Sequence, residues 1–241
     1  MLRNLLICGL LAGACAGLLA TGFAEVAGEP AVERAISFEE AHDAASGQPV
    51  MAGPVSRPVQ RSVGLSVAAI IYGLGMGGLF ALAFAAVYGR VGKASPAQAA
   101  LWLAGAAFVV VFLVPFLKYP ANPPAIGRPE TIGERTLLYF TMLAISLLAA
   151  IAAVRARALL ARRHAAGPAT LWALTAFVAV VIVAGLALPG IDEVPRRFPA
   201  TTLWHFRMAS LATQAVLWTT VGLIFAATAP RALVGRPIWQ R

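Results

Sequence analysis

Glu39, His42 and Asp43 lie at i, i+3 and i+4 in the stretch SFEEAHDA. Carboxylate oxygens suit hard and borderline divalent cations, and an imidazole adds affinity for the later transition metals. On a helix the three side chains share one face. Ser37 stands three residues before Glu40, the spacing of a capping box, and predicts a short helix starting there. The same residues also fit a solvated acidic amphipathic helix lying on a membrane face. A second group falls in PGIDEVPRRFPATTLWHFR, residues 189–207, where Asp192 and Glu193 are followed by His205. His205 is read as a metal ligand or gate, or as an interfacial side chain satisfied by a neighbour. Glu130, Glu134 and Arg135 read as local ion pairs, worth about 0–1 kcal/mol when exposed.

Other chemistry has no visible motif. The sequence has no G-x-x-x-x-G-K-S/T loop, no C-x-x-C, no H-E-x-x-H and no G-x-S-x-G. Nothing argues for an enzyme or a resident cofactor. Cys8 and Cys15 both sit in an apolar run, so no disulfide framework is expected.

The elements that must position these residues are membrane spans. Of 241 residues 60% are apolar and 12% charged, about half the charged share of an ordinary soluble domain. The mean hydropathy is +0.80. The net charge of +9 is dispersed between apolar runs, which points to lipid headgroups and not to nucleic acid. Crossing the hydrocarbon core takes about 20 apolar residues. Runs of that kind fall near 4–23, 66–88, 99–117, 136–154, 170–188 and 208–228. The expected fold is therefore all-α. It is a polytopic transmembrane bundle of about six spans forming one integral membrane domain, 1–241, with an acidic external loop after the first span. The other external loops are 118–135 and 189–207.

Charge sorts the loops. Arg3, Arg90, Lys93, Arg155, Arg157, Arg162, Arg163, Arg231, Arg236 and Arg241 fall on the side of the termini, with no acidic residue among them. All 10 Asp and Glu lie in the three other loops, 24–65, 118–135 and 189–207. The positive-inside rule then places both termini in the cytoplasm of a multi-pass cell-membrane protein. Residues 1–24 also resemble a signal peptide, with Gly22-Phe23-Ala24 as a small-x-small ending. Against cleavage, Gly9, Gly13 and Gly17 form a small-residue ridge that permits close helix approach, and Gly73 and Gly77 form a similar one in the second span. The stretch KYPANPP, from Lys118, reads as a stiff loop: its prolines fix φ and stop the helix, and Lys118 can snorkel to headgroups. With few ionisable residues in the spans, a polar path would have to use Ser, Thr, Tyr72, Met76, Met142, Gln214 or main-chain groups.

Several longer stretches carry a family resemblance: FAEVAGEP, VSRPVQRSVGL, KYPANPPAIGRPETIGERTLLYF, and DEVP followed by RRFPATTLWHFRMASLATQ. Together they resemble the CbtA family of proposed cobalt transporter subunits over nearly the whole chain. The resemblance implies one component of a cobalt uptake system linked to cobalamin synthesis, in the cell inner membrane, with Co²⁺ as transported ion and not cofactor. It also implies a small single-span companion with a histidine-rich metal-binding end, which fits the few histidines here. An oligomer is open. The alternative function is a non-transporting membrane scaffold or a sensor of metal or partner.

Overall fold

The computed structural model of the chain describes residues 1–45, 56–90, 92–124 and 126–234. Among these residues the regular structure is entirely helical. The main helices are α1 (Leu2–Ala27), α2 (Glu29–Ala45), α3 (Ser62–Val87), α4 (Pro96–Lys118), α5 (Pro129–Leu160), α6 (Ala166–Ala187) and α7 (Ala200–Leu233). All except α2 are long and apolar enough to cross a membrane, and they overlap the six apolar runs of the sequence. Several run past the expected ends: α5 and α7 carry polar turns beyond the apolar stretch that marked them.

Within the acidic segment the helix begins at Glu29, eight residues before the start expected at Ser37. Gly28 ends α1 and donates its N–H to Ala24 O at 2.8 Å, and α2 begins at the next residue. Pro30 is tolerated because its missing N–H would be an orphan in the first turn anyway. Glu29 in that turn suits the helix dipole. Ser37 is therefore mid-helix and caps nothing; its hydroxyl donates to Glu33 O at 2.9 Å, one turn back.

The chain divides into two compact units. The first comprises Met1–Ala106, Ala121–Ile126 and Val194–Arg241. Its centre is the contact of α1 with α3. A methyl group on Gly77 would fall 2.9 Å from both N and Cα of Gly13, and one on Gly17 would fall 2.9 Å from the carbonyl carbon of Ala69. The two glycine ridges thus face each other, backbone against backbone, as small-xxx-small packing requires. Phe225 of α7 closes the core against Phe80 and Phe84 of α3, with ring centroids 5.1 and 5.0 Å apart. On α2 the buried Ala31 and Ala35 and the half-buried Phe38 recur at helical spacing. Phe38 meets Phe198 edge-on at 5.2 Å, beside Ile126, Val194 and Leu203.

The second unit comprises Ala107–Pro120 and Gly127–Glu193. Met142 of α5 is buried with Val114 and Tyr119, and Leu138, Phe177 and Val181 pack around them. From Phe108 to Leu113 α4 widens, so that Val114 N–H bonds to Val109 O, five residues back. The next donor in that register would be Pro115, which has none. The Val110 carbonyl so vacated accepts from Ser146 Oγ of α5 at 2.8 Å, and Ser146 is fully buried. In hydrocarbon, main-chain groups must be satisfied within the protein, and this hydroxyl satisfies one.

Candidate functional site

The polar residues singled out in the sequence are treated differently by the two units. In the second unit Glu193 is enclosed, with its side chain 8% exposed. The Thr131 hydroxyl donates to Oε1 in a short hydrogen bond, and Arg128 N–H donates to Oε2 at 3.1 Å. Arg135 Nε stands 3.4 Å from the same Oε2, while its Nη2 donates to Arg128 O at 3.3 Å. Both carboxylate oxygens are thus engaged. The Thr131 bond, the Arg128 amide and the two guanidinium charges hold the Glu193 carboxyl below the usual glutamate range, against a partial opposing effect of desolvation. Gly127 makes the knot possible. Its φ of +124° favours glycine, and a Cβ there would collide with the Arg135 guanidinium and come within 3.0 Å of Glu193 Oε2.

The same unit explains the start of KYPANPP. Lys118 does not reach for headgroups. Its ammonium donates to Leu188 O at 2.8 Å, just past the end of α6, and lies 5.6 Å from the Tyr119 ring centre. Tyr119 OH donates to Pro189 O at 2.9 Å, and burial raises its phenol pKa. Carbonyls at a helix C-terminus lack internal donors, and a cation there also suits the dipole. Lys118 and Tyr119 therefore cap α6 and fix the segment that carries Asp192 and Glu193. The remainder of the stretch, Ala121–Ile126, belongs to the first unit. There Arg207 of α7 donates to Ala121 O at 3.3 Å and to Asn122 Oδ1 at 3.0 Å, and Pro123 is fully buried.

The remaining candidates stand as follows. Asp192 is exposed, in contrast to its neighbour Glu193. His205 is exposed on the first turns of α7, beside the exposed Trp204. Glu39 is exposed on α2; the side chains of His42 and Asp43, on the same helix, lie outside the described residues. Among the described residues no three His, Cys, Asp or Glu side chains are grouped to hold a metal ion. Gln214 Oε1 and Trp218 Nε1, one turn apart on α7, are buried without a hydrogen-bond partner. Sequence reasoning missed the Arg135–Glu193 pair, because only opposite charge in two distant loops hinted at it. It also missed Arg207 with Asn122 and Ser146 with Val110.

The profile of the CbtA family, described as a probable cobalt transporter subunit, matches residues 2–230. The chain belongs to the CbtA family. No curated protein and no solved structure matches it. With six helices able to cross a membrane, it is a multi-pass membrane protein. The word subunit in the family description implies a protein partner. A transporter subunit family is not an enzyme class.

Proposed function

We propose that the chain is the integral membrane subunit of a cobalt uptake transporter, set in the inner membrane with both termini cytoplasmic. The observation that carries this reading is the family match across residues 2–230 of a chain with six membrane-crossing helices. Co²⁺ is the cargo. It is first captured at the outer face by Glu39, His42 and Asp43, which share one face of α2 by their spacing. Asp192 and His205 then help pass it to the helices, and Glu193 holds its own loop in place. Capture is joined by a small single-span companion whose histidines supply further ligands. Oxygen with one imidazole binds Co²⁺ without excluding Ni²⁺ or Zn²⁺.

The test is uptake of radiolabelled cobalt at micromolar metal, in cells lacking this gene and complemented with the chain, with and without its companion. Restored uptake supports the reading. The runner-up is a scaffold or a sensor of metal or partner that does not itself transport. It predicts unchanged uptake when the chain is removed and the companion is kept.

A further inference from the structure

The turn joining α5 to α6 in the second unit gathers Arg155, Arg157, Arg162 and Arg163. It is a built turn. Ala161 N–H donates to Arg157 O at 2.9 Å, Arg162 N–H to Leu159 O at 3.2 Å, Arg163 N–H to Leu160 O at 3.0 Å, and His164 N–H to Leu160 O at 2.9 Å. Arg157 ties the turn to α6 by donating from Nε to Thr170 Oγ1 at 2.9 Å. Arg155, Arg162 and Arg163 are exposed. The carboxylates of this unit are at the other end of its helices: from Glu134 to Leu160, α5 rises about 39 Å at 1.5 Å per residue. Among the described residues of this unit, the guanidinium cluster therefore has no acidic neighbour to neutralise it. The same end exposes Leu159, Leu171 and Trp172. Because α5 and α6 are both long and apolar enough to span the bilayer, their shared turn lies at its surface.

We propose that this turn is a binding site for the phosphate headgroup of anionic lipids. A guanidinium presents forked donors that match phosphate oxygens. Trp172 sits at the headgroup level, as indoles do at membrane interfaces, and farther from the turn the exposed Ile151 and Leu174 line the acyl chains. Ile151 and Arg155, four residues apart, share a face of α5, so chain and headgroup contacts adjoin. Free phosphate offers the same oxygens without the chains, and the exposed leucines favour the lipid.

The experiment titrates full-length purified protein in detergent with short-chain phosphatidylglycerol and phosphatidylcholine, reading bound lipid by native mass spectrometry. Phosphatidylglycerol should bind the wild type more tightly, and each neutralised arginine should cost about fivefold in affinity. Arg155→Gln/Arg162→Gln/Arg163→Gln should remove the preference for the anionic lipid. Should that variant lose its helical circular dichroism, Arg162→Gln alone decides, with the fivefold loss expected. Unchanged preference in whichever variant is folded overturns the proposal. Displacement of the lipid by inorganic phosphate at millimolar concentration also overturns it, by assigning the site to the free ion.

Discussion

Glu193 and Glu39 both belong to the acidic segments that the sequence sets against the basic ones, yet their surroundings differ. Glu193 has a hydroxyl, an amide and a guanidinium around its two oxygens. Glu39 stands exposed on α2, whose apolar residues pack against Phe198 and Ile126. The Glu193 carboxylate already accepts two hydrogen bonds, and the adjacent Arg135 guanidinium repels a cation. The difference teaches that a count of acidic residues does not locate a metal site. What decides is what the fold does with the oxygens, and those of Glu193 are used to hold its own loop, which makes that loop a latch.

The largest effect is expected at α2. In the proposed reading Glu39→Gln/His42→Ala/Asp43→Asn abolishes cobalt uptake at micromolar metal, compared at matched amounts of protein in the membrane. The loss should also show in the pH profile. A ligand histidine must be neutral, so protons compete with the metal and wild-type uptake weakens on acidification, while a residual uptake in His42→Ala lacks that dependence. An unchanged profile would remove the imidazole from capture.

Next comes the latch, where stability should move and metal preference should not. Gly127→Ala strains a positive φ and pushes on Arg135 and Glu193, at a cost of about 1–3 kcal/mol. Thermal unfolding in detergent reads it. Glu193→Gln should lower the melting temperature and Asp192→Asn should not. Arg135→Gln/Glu193→Gln together should cost less than the sum of the singles, since one contact is lost in both. The pH sign follows from the lowered Glu193 value. Its contribution is present above the ordinary glutamate range and is lost only as pH falls through the still lower folded value.

Sidedness sharpens the same comparison. In the proposed orientation, cysteines placed at Ala44 and Ala165 are labelled in intact cells only at the former. Labelling at Ala165 alone would put α2 inside and leave it no role in uptake. The smallest effect is expected for Pro123→Gly/Pro124→Gly, which adds backbone freedom next to the Arg207–Asn122 contact. It should lower uptake more than expression, and normal uptake would reduce this stretch to a linker.

Much of the fold was legible because lipid allows few solutions: uncharged runs of about 20 residues must be helices. The glycine ridges were legible one at a time, since each shows in its own span. That Gly13 meets Gly77 was not, because a ridge does not name its partner. Ser37 misled for a local reason: its spacing to Glu40 imitates a cap, but the alanines and glutamates before it already favour helix from Glu29. Lys118 misled through its position at a span end, where snorkelling is the general expectation and the open carbonyls of α6 were a nearer partner. Of the site, the residue types were visible and their states were not. Glu193 and Arg135 are far apart in the chain, and no periodicity joins them.

Cobalt capture on α2 is decided by radiolabelled cobalt uptake in His42→Ala beside Glu193→Gln, at matched amounts of protein in the membrane. If α2 captures the ion, His42→Ala loses most of its micromolar uptake. Glu193→Gln should be less stable and, per folded molecule, should take up cobalt as wild type does. Wild-type uptake in His42→Ala, with loss per folded molecule in Glu193→Gln, would rule out capture on α2 and assign the metal to the Glu193 loop.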